Sequence, residues 1–75
     1  MNIQKIGENA GIVWRLLNGN NRAWEFSEIQ ESTGLSGRDL NTAIGWLARE
    51  DKVQFEEHKE GEEDRIYIAL NYYIG

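Results

Sequence analysis

Gly34-Leu35-Ser36-Gly37-Arg38-Asp39-Leu40-Asn41-Thr42-Ala43-Ile44-Gly45-Trp46-Leu47-Ala48-Arg49-Glu50-Asp51-Lys52-Val53 is the stretch that decides the fold. Leu40, Ala43, Ile44 and Leu47 recur at helical spacing, which predicts a helix from about Gly37 to Asp51 with one apolar stripe. Arg38, Asn41, Thr42, Gly45 and Arg49 fall on the opposite side, and Trp46 lies on the border beside the stripe. Ser36 is placed to cap this helix, with Asp39 as the carboxylate of a capping box. Ahead of it, Gly34 suits the left-handed end of a preceding helix, and Leu35 is the apolar residue of a tight turn. Behind it the period shortens to two, because Val53 and Phe55 alternate with Gln54 and Glu56. Helix end, turn, helix, strand is the order.

Further along the chain, Ile66, Ile68 and Leu70 repeat the strand pattern with Tyr67 on the other face. Gly61 lies between the two runs, so Val53–Leu70 is expected to form a hairpin. Toward the start, Arg22-Ala23-Trp24-Glu25-Phe26 alternates as a short strand over Ala23–Phe26. Ser27 then fits as an N-cap, followed by a short helix, Glu28 through Thr33, anchored by Phe26 and Ile29. Ile3, Ile6, Ala10, Val13, Trp14 and Leu17 predict an amphipathic first helix over Ile3–Leu17. Asn2 is its expected cap, and Asn18-Gly19-Asn20-Asn21 its stop.

Seventy-five residues suit one small domain, 1–75, with no room for a second core or a deep pocket. Such a chain buries only about 60% of its unfolded surface, so packing or a partner must help. Apolar residues make up 40%, which is enough for a folded domain. The absence of cysteine excludes disulfides and zinc–thiolate sites. Neither a secretory leader nor a membrane span is visible, so a soluble cytoplasmic protein is expected.

The order of all these elements resembles the winged helix-turn-helix superfamily, and the likeness covers nearly the whole chain. Leu40–Val53 looks like that superfamily's recognition helix running into the first wing strand. In size the chain is similar to small stand-alone bacterial members. The resemblance implies an α+β fold of three helices and a small antiparallel sheet with a hairpin wing. It also implies a DNA-binding, transcription-regulatory role for the third helix, through Arg38, Asn41, Thr42 and Arg49. Arg suits guanine and Asn suits adenine, and Gly45 would allow close backbone approach.

Charge works against that role. The net charge is −5, and residues 56–65 hold six acids against two bases, or −4 of it. A wing set beside phosphates would repel them. Asp39, Glu50 and Asp51 add acid near the third helix. The acidic hairpin admits other readings. It can be a solvated loop that deters edge-to-edge association, with Arg65 offsetting Glu56 or Glu57 across the strands. It can also dock a basic protein through Glu56–Asp64, and the chain would then be an interaction or assembly module whose wing disfavours DNA. A calcium loop is not expected, because the alternating ligand spacing is missing.

His58 is the only histidine and reads as an exposed wing residue. No phosphate loop, nucleophile motif or metal-ligand set appears, so no enzyme activity, cofactor, metal or small-molecule substrate is expected. Gly7 and Gly11 leave a bare stripe inside the first helix, at about 1 kcal/mol each relative to Ala. That stripe serves either close packing on the second or third helix, or a dimer interface. Trp14 lies on the same helix, and Tyr72, Tyr73 and Ile74 make an apolar tail. With Gly7 and Gly11 they form the candidate interface of a homodimer. Trp24, Phe26, Phe55 and Trp46 are expected in the core or at its edge.

Overall fold

The computed structural model describes residues 2–61 and 63–71. Its elements run α1 (Ile3–Gly19), β1 (Trp24–Glu25), α2 (Phe26–Thr33), α3 (Gly37–Arg49), β2 (Val53–Glu60) and β3 (Glu63–Leu70). The strands form one antiparallel sheet in the order β1-β3-β2, which makes β3 central. Three helices and a winged sheet are the expected architecture. Tyr72, Tyr73 and Ile74 lie outside the described residues.

Caps set the helix starts. Asn2 Oδ1 accepts the Lys5 N–H at 2.8 Å, and Ser36 Oγ accepts the Asp39 N–H at 3.1 Å. Asn20 closes α1, its side-chain amide donating to the Leu16 carbonyl at 2.9 Å. α2 differs from expectation, because Ser27 is not its cap. The helix begins at Phe26, directly after β1, with Glu25 in the N-cap position. Glu28 explains this, since its carboxylate accepts the Glu25 N–H at 3.0 Å and draws the chain into the helix early. Gly34 ends α2 with φ 74°, the left-handed geometry its lack of a Cβ permits.

α3 stops at Arg49, short of the expected Asp51. The Lys52 N–H donates to the Leu47 carbonyl at 2.9 Å, and the Asp51 N–H to Ala48 at 3.1 Å. These two bonds form a Schellman closure in which Asp51, at φ 58°, takes the position glycine usually fills. Asn71 ties the far end of the hairpin to the same corner, its N–H donating to the Lys52 carbonyl at 2.9 Å.

The core gathers Ala10, Val13 and Leu17 from α1, Trp24 from β1 and Ile29 from α2. Leu40, Ala43, Ile44 and Leu47 join from α3, and Val53, Ile68 and Leu70 from the hairpin base. Leu17, Ile29 and Leu40 are almost fully buried, each contributing about 1.5–3 kcal/mol of apolar transfer. Phe26 packs against this cluster from its edge. Phe55 does not, and at 49% exposure it shares the fate of Ile66 at 49%. Their alternation is that of the buried face, but strands of eight residues reach about 27 Å and outrun the helices that cover their base. Ile3, Trp14 and Trp46 are also exposed large apolar side chains. Asn9 is the buried polar exception, and its Nδ2 has no hydrogen-bond partner among the described residues.

Candidate nucleic-acid interface

The buried stripe of α3 turns its other side outward by helical geometry alone. Arg38, Asn41, Gly45 and Arg49 are exposed along that side, a span of about 16 Å between the two arginines. Thr42 is half-buried at its margin, and its hydroxyl donates to the Asp39 carbonyl at 2.9 Å. That bond leaves Thr42 the least available of the expected contact residues. At Gly45 an added Cβ would meet nothing within 4 Å, so the backbone there is open to a close approach. Arg49 lies in the last turn, where a cation suits the helix dipole.

Two other arginines, Arg22 and Arg65, are engaged instead. Arg22 reaches Glu28 at 3.3 Å and stacks 3.5 Å over the Trp24 ring. Arg65 pairs with Glu25 of β1 at 2.8 Å. The expected offset of Glu56 or Glu57 by Arg65 is therefore corrected. Arg65, on the central strand β3, sits opposite His58 of β2 in the register and reaches the other way, to Glu25 of β1. Among the described residues, Arg38, Asn41 and Arg49 make no side-chain hydrogen bond or ion pair.

The first acids of the wing, Glu56 and Glu57, lie in solvent. Glu56, Glu57, His58 and Lys59 are exposed, with His58 Nε2 3.6 Å from Glu56 and the imidazole edge-on to Tyr67 at 4.9 Å. His58 is thus the exposed wing residue expected, with a ring contact the strand pattern did not reveal. Among the described residues no three His, Asp or Glu side chains gather to hold a metal. No described helix is long and apolar enough to cross a membrane.

One carboxylate is clearly perturbed. The Glu25 N–H and then the Arg22 guanidinium hold Glu28 below its ordinary value. That perturbation belongs to the β1–α2 junction and lies away from the α3 face.

A second surface opens between α1 and α3. Trp14 and Trp46 stand on either side of an apolar groove of about 220 Å³ floored in part by Gly7 and Gly11. A Cβ added at Gly7 would meet nothing within 4 Å, and at Gly11 only the Arg15 guanidinium at 3.4 Å. Packing against the domain's own second or third helix is therefore not what these glycines serve. Trp46, placed at the stripe's border by its helical angle, is the wall that sequence spacing did not connect to Trp14.

These features place the chain in a known class. A family model for the winged helix-turn-helix domain DUF2582 matches residues 1–70, and the chain belongs to that family. Protein BT2368 from Bacteroides thetaiotaomicron, known from a solution NMR structure, is similar over the whole chain. The two share 34% identity with a TM-score of 0.78, covering 100% of this chain and 90% of that one. The "Uncharacterized protein MJ1608" of Methanocaldococcus jannaschii is 42% identical over 50 residues, 65% of this chain and 71% of its own.

Proposed function

We propose that the chain is a non-enzymatic, cytoplasmic transcription-regulatory module that contacts duplex DNA through the outward face of α3. The observation that carries this reading is the stripe Arg38, Asn41 and Arg49, exposed and without partners among the described residues, beside the bare backbone of Gly45. Bidentate Arg and Asn contacts to base edges need such unengaged side chains on a helix that fits the major groove. Few phosphates are neutralised by so few cations, so binding is weak, with a salt slope of only about two for the two arginines.

The test is an NMR titration with mixed-sequence duplex at low salt. Shifts confined to residues 36–49, lost on adding salt and at least tenfold weaker in an Arg38→Ala/Arg49→Ala variant, are expected. Silence at high protein concentration, together with no enrichment from a random-sequence duplex pool, would overturn the reading.

The second reading is an interaction module that docks a basic protein on Glu56–Asp64. Exposed Phe55 and Ile66, beside the acids Glu56 and Glu57, favour it, because an amphipathic basic segment could use both.

A further inference from the structure

We infer that the α1–α3 groove receives a second copy of this chain, α1 lying antiparallel on α1 with each Trp14 seated over the other copy's Gly7. Gly7, Gly11 and Trp14 follow one another at helical spacing on a single face of α1 and line the same groove. The face therefore carries a hole at one end and a knob at the other, separated by about 10 Å. Rotating a second copy by two-fold symmetry about the midpoint between Ala10 and Gly11 brings each indole to the partner's Gly7. A two-fold interface requires this kind of self-complementary patch. Trp46, on the far wall, closes over the entering ring.

Charge complements shape. Glu8 and Arg15 are both exposed and flank the glycine stripe on the side away from the core. In the antiparallel pairing, Glu8 comes alongside the partner's Arg15, and Arg15 alongside the partner's Glu8. A parallel two-fold pairing would instead put the two Glu8–Arg15 flanks on opposite sides of the interface, where neither meets the other. Within the monomer Glu8 has only solvent-exposed contacts, with Lys5 at 3.8 Å and from the Gln4 side-chain amide at 3.4 Å, which it can exchange for a partner's arginine. The groove opens about a quarter-turn around α3 from Arg38, Asn41 and Arg49, so the dimer leaves that stripe uncovered.

Light scattering across a dilution series from millimolar to micromolar is the test. A particle near twice 8.7 kDa at the concentrated end, dissociating on dilution, is expected. Gly7→Leu fills the hole where the monomer has free space, so its circular dichroism stays native and its melting temperature does not fall, while its dissociation constant rises at least tenfold. Glu8→Arg and Arg15→Glu each weaken the dimer, whereas an equimolar mixture of the two restores it, since both cross-pairs are then opposite in charge. A mass that stays at 8.7 kDa throughout would overturn the proposal. So would a dimer that keeps its affinity in Gly7→Leu, or a mixture no tighter than its components.

Discussion

Glu28 binds the junction of β1 and α2 from two sides. Its carboxylate accepts the Glu25 N–H at 3.0 Å and the Arg22 guanidinium at 3.3 and 3.4 Å. Both favour the ionised form, the backbone bond more, so in the folded chain the group titrates below its ordinary 4.5. A carboxylate lowered by folding contributes stability above its unfolded value and loses it as pH falls through the folded one. Glu28→Gln keeps the shape and one acceptor oxygen but cannot ionise. Thermal unfolding should show wild type more stable than Glu28→Gln by a constant margin near neutral pH. That margin should shrink below 4.5 and vanish once the folded carboxylate is protonated. A margin independent of pH would assign the effect to amide geometry instead of charge.

At the scale of elements, the corner between α3 and β2 is the most constrained. Asp51 holds φ 58° so that its own N–H and that of Lys52 can satisfy the last carbonyls of α3. Left-handed backbone costs an L-residue about 1–2 kcal/mol, less for Asp, almost nothing for Gly and most for a β-branched side chain. Urea unfolding should therefore rank Asp51→Gly above wild type by about 0.5 kcal/mol, after the greater unfolded-state freedom of Gly is counted. Asp51→Val should fall below wild type by about 1 kcal/mol or more. An Asp51→Val variant as stable as wild type would mean that the corner relaxes to another turn.

This corner also marks where the sequence stops being legible. The α3 face, the Gly34 turn and the Ser36 cap could be read because helical spacing and capping residues act locally. The end of α3 could not, since the left-handed position carries Asp where glycine would have announced it. Alternation correctly set Phe55 and Ile66 on the core-facing side of the hairpin, as their register beside buried Val53 and Ile68 shows. Whether a helix covers that side depends on element lengths, which no strand pattern contains. Arg65 was missed for a related reason, because its partner Glu25 lies forty residues away on a two-residue strand.

Across the whole molecule, the decisive quantity is how far the wing's charge reaches. Residues 56–65 carry −4 of the net −5, while the free basic side chains of the proposed contact face sit on α3. At 0.01 M salt the screening length is about 30 Å, comparable to the 28 Å middle extent of the molecule, so a duplex on α3 feels the wing wherever it points. At 0.15 M the length falls to about 8 Å, and only acids lying against the phosphates still count. Neutralising two exposed wing residues by Glu56→Gln/Glu57→Gln separates these cases. If the wing is no clamp, the variant binds mixed-sequence duplex several-fold more tightly at low salt, and the gain fades at physiological salt. Fluorescence anisotropy at the two ionic strengths reads both numbers directly. A gain that persists at 0.15 M would instead place the wing beside the backbone, where its acid acts as a brake on binding.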